Sequence, residues 1–358
     1  MPCTRANDLI VQEYDNNGNL WATRGMLIYR LRNKDNKFVR VAQVPTGLSV
    51  LWLYNFTIVR KLSLRPECME IVIDKTENIC AFSAGYMWYR STGTQKFLKS
   101  MKLAHHGPGV GRGMLSNGIL GVNNILFFGE YFDNSEKTNV RIYKSLNNGR
   151  IWEVAYEFAT GQTRHIHALM SDPYSGRVWV CTGDKDNESM IGWSDNNYQI
   201  IYPVVQGNQV GRSVVLVFTE HAVYWGTDTG ISNLAGIYRW DKESKELLKL
   251  QKINGSMFFG TRLAKGTIVM SLEVEGSRIE LDDKTRLFIM NDTEKITTID
   301  CGTWNIKKKG YRFSPARLRF QRNQGSNSLA ITCLNQKEIS NGDLIIISED
   351  VLISALNK

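Results

Sequence analysis

Proline is scarce in this chain, at 7 of 358 residues, and no Gly/Ser- or Pro-rich stretch reads as a linker. One compact domain over 1–358 is therefore expected. Six cysteines occur: Cys3, Cys68, Cys80, Cys181, Cys301 and Cys333. None forms a CxxC pair, which argues against a zinc knuckle. Most sit in apolar runs such as Val178-Trp179-Val180-Cys181 and read as buried thiols. No run approaches the ~20 apolar residues of a membrane span. The segment Met1 to Arg5 has no apolar core, so no signal peptide is expected. Reduced cysteines then fit a cytoplasmic location. Long Lys/Arg blocks are also missing. The densest is Lys307-Lys308-Lys309, which reads as a solvated loop. The net charge of +9 favours anionic partners without pointing to nucleic acid. Helical periodicity is absent as well, with no i, i+3, i+4 apolar stripe longer than two turns.

What is present is a repeat. Short β-type runs recur at MLIYRL (26–31), YMWYRS (86–91), VRIYKS (140–145), MIGWS (190–194), GIYRW (236–240), RLFIMN (286–291) and LIIIS (344–348). Their spacing is near 50 residues, the signature of a propeller or solenoid. Within one unit, His165 to Met170, Arg177 to Thr182, a run ending at Trp193-Ser194, and Gln199 to Val204 read as four strands separated by turn formers. Four antiparallel strands make one propeller blade. The expectation is an all-β protein, a single β-propeller with seven blades and six as the alternative. The last unit is ragged, and the N-terminal segment is expected to complete it.

One turn carries a recognisable motif, Ser145-Leu146-Asn147-Asn148-Gly149-Arg150-Ile151-Trp152. It resembles the Asp-box, S-x-D-x-G-x-x-W, of sialidase-like propellers (BNR repeats). Ser194-Asp195-Asn196 and Ser348-Glu349-Asp350 read as decayed copies. The resemblance implies a folding element away from any catalytic centre. The stretch from Glu130 to Asp228 also resembles glycosyl hydrolases that accompany bacterial polysaccharide synthesis, which implies a glycan context.

Lining up the units suggests a site. An arginine stands near the expected start of the first strand in four successive units: Arg112, Arg164, Arg212 and Arg262. A carboxylate follows the second strand in the same units: Glu130, Asp184, Asp228 and Glu273. One reading is a structural ion-pair network. The other is an anion cradle, with the arginines binding an acidic sugar and carboxylates acting as acid and base. A sialidase-like site implies that Arg112, Arg212 and Arg262 hold the substrate carboxylate. It also implies a tyrosine–glutamate pair, for which Glu130 and Tyr131 stand in. Being sequential, those two point to opposite faces of a strand. His165 and His167 share one strand face about 7 Å apart, fit for one substrate or one metal. Glu188, in an acidic loop, is a further substrate contact.

The expected function is therefore carbohydrate-active and glycoside hydrolase-like, on an acidic or amino-sugar glycan. Its catalytic candidates are Glu130, Asp184, Asp228, His165, His167 and Tyr131. Arg112, Arg164, Arg212, Arg262, Glu188 and Glu273 are the binding candidates. A lyase using histidine and tyrosine is one alternative, and a non-catalytic glycan- or protein-binding propeller is another. No cofactor is expected, with a divalent metal at His165 and His167 as the lesser alternative.

Overall fold

The computed structural model describes residues 4–32, 36–45, 53, 56, 70–107, 109–305 and 315–356. Cys3, Cys68 and Lys307 to Lys309 lie outside them. Among the described residues the strands form seven four-stranded antiparallel sheets and one three-stranded sheet. The chain divides into two compact units. One comprises residues 1–68, 223–226 and 230–358, and the other residues 69–222 and 227–229.

Each recurrent run seen in the sequence forms the third strand of its sheet, from Leu27–Arg32 to Asp343–Ser348. The second strands carry near-continuous apolar runs because both faces are covered. Ile79–Ser83, Val178–Thr182 and Ile268–Leu272 are buried at every position. The fourth strands, such as Leu98–Lys102 and Leu247–Lys252, face water and turn polar.

In the 69–222 unit, apolar side chains of neighbouring sheets interdigitate. Phe127, Val140, Ile142, Leu169, Val178 and Val180 form one such layer. Each large side chain buried there stabilises the fold by about 1.5–3 kcal/mol. In the other unit, Phe259, Val269, Leu287, Leu318, Phe320 and Leu329 form a second layer.

The ragged last unit is completed as expected: Thr4–Ala6 pairs antiparallel with Asp343–Ser348. One helix, Glu349–Leu356, follows. It buries Leu352 and Leu356 at i, i+4 spacing, a face too short to register as a periodic stripe in the sequence. No helix among the described residues is long and apolar enough to cross a membrane. Cys80, Cys181, Cys301 and Cys333 are free thiols, and burial pushes Cys80 up to about 12.

The motif at Ser145 is a third-to-fourth-strand turn. Gly149 N–H donates to Ser145 Oγ at 2.9 Å and Ile151 N–H to Asn147 Oδ1 at 2.9 Å. Gly149 takes φ +87°. The turn at Ser194 repeats this scheme, with Tyr198 N–H to Ser194 Oγ at 3.0 Å and Ile200 N–H to Asn196 Oδ1 at 3.0 Å. There a tyrosine accepts the left-handed backbone, φ +67°, and donates its hydroxyl to Trp179 O at 2.8 Å. The third expected copy is a correction. Ser348-Glu349-Asp350 runs into the helix, where buried Glu349 caps the N–H groups of Lys265 and Thr267.

Candidate functional site

The site lies wholly in the 69–222 and 227–229 unit and is built around a β-bulge. Ile166 pairs with Thr182 and Ala168 with Cys181, so His167 is an extra residue in the ladder. The bulge turns its ring toward His165, which just precedes the strand Ile166–Ser171. Two residues on one face of a regular strand stand about 7 Å apart. Here the two Nε2 atoms are 3.1 Å apart and both rings are buried. The outer nitrogens are fixed by the backbone. His165 Nδ1 donates to Phe132 O at 3.2 Å, and His167 Nδ1 to Ser213 O at 3.3 Å.

Asp184, two residues beyond the strand Val178–Thr182, closes a triangle. Its Oδ2 is 3.3 Å from His165 Nε2, and its Oδ1 is 3.3 Å from His167 Nε2. Burial opposes the charge on Asp184, but its contacts with His165 and His167 prevail and hold its carboxyl well below the usual range. Burial outweighs the pull of Asp184 and pushes His165 down, so that ring is neutral near pH 7.

Arginines flank the triangle. Arg164 Nη1 lies 3.3 Å from Asp184 Oδ2, and its Nη2 is 2.7 Å from Asp133. Arg212, after a short 3-10 turn at Gln209–Gly211, donates to Asp184 O at 3.1 Å. Its Nη2 lies 3.5 Å from Asp184 Oδ1 and 3.2 Å from Asp228 Oδ2. The structural ion-pair reading is thus partly realised. Yet the Nε of each arginine is buried without a hydrogen-bond partner.

Tyr131 and Arg112 come from an element absent from the sequence reading, a small sheet of His106–Gly107, Gly111–Gly113 and Tyr131–Phe132. Gly111 permits it, since a Cβ there would meet Phe132 Cα at 2.6 Å. The Tyr131 ring stacks on His165 at a centroid distance of 4.1 Å and lies 6.2 Å from His167. Burial raises its phenol, Asp184 and Asp228 raise it further, and Arg112 and Arg164 pull it down. Its hydroxyl makes no hydrogen bond among the described residues, and exposed Arg112 has no ion-pair partner there.

Other candidates fall elsewhere. Glu130 lies between the strands Ile125–Gly129 and Tyr131–Phe132. It accepts from Arg141 N–H at 2.8 Å and lies 3.3 Å from His105 Nδ1, engaging none of the triangle's side chains. Glu188 is buried; it pairs with Lys137 Nζ at 2.8 Å and accepts from Lys185 N–H in a capping turn, so its carboxylate is engaged within the fold. Arg262 is the last residue of Met257–Arg262 rather than preceding that strand. The aligned position is held by Gly255-Ser256, so the four-arginine register does not extend to this unit.

Glu273 does follow a second strand, but it is fully buried. It accepts from Ser271 Oγ at 2.9 Å and lies 4.0 Å from Arg317 Nε. Burial raises its carboxyl from 4.5 to about 8, against the pull of Arg317. Its folded form therefore binds a proton that the unfolded chain releases above its ordinary value. Stability should fall as pH rises from about 5 to 8, with a slope of up to about 1.4 kcal/mol per pH unit. Urea melts of Glu273→Gln at pH 5 and pH 8 should show a smaller loss than the parent, by on the order of 1–3 kcal/mol. Equal losses would remove Glu273 as the cause.

No protein-family model matches this chain, and no curated protein is similar to it in sequence. Solved structures are similar in fold. A chain of a mitotic checkpoint complex is 8% identical with a TM-score of 0.58, over 97% of this chain and 91% of that one. YCF48 bound to a D1 peptide is 10% identical with a TM-score of 0.56, over 98% and 96%. A GH74 enzyme of Niastella koreensis is 13% identical with a TM-score of 0.55, covering 92% of this chain but 52% of that enzyme. These likenesses, together with the four-stranded antiparallel sheets, show the β-propeller fold class.

Proposed function

We propose that the Tyr131–His165–His167–Asp184 cluster is a carbohydrate-active site for an acidic saccharide, acting by elimination next to a uronate carboxylate. One observation carries the reading. Two arginines with spare N–H groups, and a third without an ion-pair partner, stand around a neutral histidine and an unbonded tyrosine hydroxyl. Arg112, Arg164 and Arg212 neutralise the substrate carboxylate, which acidifies the adjacent C–H. The His165/His167/Asp184 triangle accepts that proton. Tyr131 donates its own proton to the leaving glycosidic oxygen as the C–O bond breaks and a C=C bond forms.

Hydrolysis fits less well. Asp184 and Asp228 share Arg212 and are close enough for a glycosidase pair. But hydrolysis needs one carboxyl kept protonated, and Asp184 is held ionised by its imidazoles. The test is a panel of oligosaccharides containing 4-linked uronates, followed by ultraviolet absorbance and by reducing ends. Unsaturated product is the expected result. Reducing ends without absorbance would replace elimination with hydrolysis. Saturable binding without turnover would leave a binding module.

A further inference from the structure

We infer that His165 Nε2, His167 Nε2 and an Asp184 carboxylate oxygen are the ligands of a first-row transition-metal dication. Both Nδ1 atoms face backbone carbonyls at 3.2 and 3.3 Å, so both carry hydrogen. A ring that holds its hydrogen on Nδ1 turns Nε2 inward as the nitrogen able to ligate. Two nitrogen lone pairs and a carboxylate then face one another across 3.1, 3.3 and 3.3 Å. Three acceptors at that spacing repel unless a cation or a shared proton sits among them.

The spacing matches ligation. Bonds of about 2.0–2.1 Å at angles of about 90–109° set ligand atoms about 2.8–3.4 Å apart. One ligand atom from each of the three residues lies within 4.8 Å of the other two. The backbone carbonyls on the outer nitrogens are the partners that orient metal-bound imidazoles and fix their tautomer. Two imidazoles with one carboxylate form a facial set that leaves positions open. This donor set suits zinc, iron(II), nickel or manganese over the all-oxygen ions magnesium and calcium. The arginines beside Asp184 would disfavour a lone cation by repulsion, but they also bring an anionic ligand to its open positions.

Metal binding does not depend on the saccharide reading, and its test involves no saccharide. A cation here uses the lone pairs of His165 and His167. The triangle therefore holds either the cation or the proton taken up in elimination, and not both at once.

The experiment titrates zinc into the untagged, chelator-stripped full chain by calorimetry, with magnesium as the class control. One zinc per chain is expected, with no magnesium heat. Cobalt substitution should give the visible absorption of a low-coordinate site in the unmodified chain, a readout that needs no variant. Asp184→Asn, close in shape, should weaken zinc by at least about 100-fold. His221→Ala, at an exposed histidine, should leave it unchanged. Absence of one-to-one zinc binding would overturn the inference and leave a shared proton in the triangle. So would equal affinity in Asp184→Asn and the parent, which would mark surface binding.

Discussion

Tyr131→Phe should keep the bound acidic saccharide and lose its turnover. Removing one oxygen leaves the ring that stacks on His165, so the packing at the cluster is preserved. What disappears is the hydroxyl with no hydrogen-bond partner among the described residues. Burial and two nearby carboxylates hold that phenol protonated, which suits it to donate a proton and not to accept one. General acid catalysis contributes about 10²–10⁴-fold, and kcat should fall by that range with KM nearly constant. Steady-state kinetics on the uronate substrate measures both. A matched loss in binding would make Tyr131 a wall of the pocket, and an unchanged kcat would move the acid elsewhere.

The second large effect belongs to Arg212. Arg212→Ala should weaken acidic-saccharide binding about 10- to 100-fold, the loss of one charge-assisted hydrogen-bonded contact of roughly 1.5–3 kcal/mol. Neutral saccharides of the same length should bind the variant and the parent alike. Arg212→Lys keeps the charge but not the planar fork, and should recover only part of the loss. Arg212 also bridges Asp184 and Asp228, so the alanine variant leaves two carboxylates without that cation. A thermal melt beside the calorimetry separates lost folding from lost recognition. Equal losses for acidic and neutral sugars would remove the anion cradle.

Much of the architecture was legible because a blade repeats its own grammar. The recurrent runs are third strands, and buried second strands show as unbroken apolar runs such as Val178-Trp179-Val180-Cys181. The carboxylate register was also legible, since Glu130, Asp184, Asp228 and Glu273 all follow second strands. What each carboxylate does was not. Burial and partners separate the ionised Asp184 from the proton-holding Glu273, and neither is written in spacing. Arg262 was misplaced because a Gly-Thr-Arg triplet mimics the other units while the strand begins earlier. The small sheet carrying Tyr131 was missed because strands of two or three residues leave no periodic signal. The two histidines were legible as neighbours on one face, but their approach to 3.1 Å was not, for a related reason. Alternation predicts regular strands, and a bulge is the departure from alternation.

The bulge at His167 has a consequence for how this scaffold can be remade. Ladder hydrogen bonds resume on either side of residue 167 without counting it, so the sheet's alignment does not depend on which side chain stands there. The register of the ladder and the chemistry are uncoupled at that position. Exchanging the residue should redirect reactivity without rethreading the blade, which makes it the natural place to graft a new donor atom or to erase the old one.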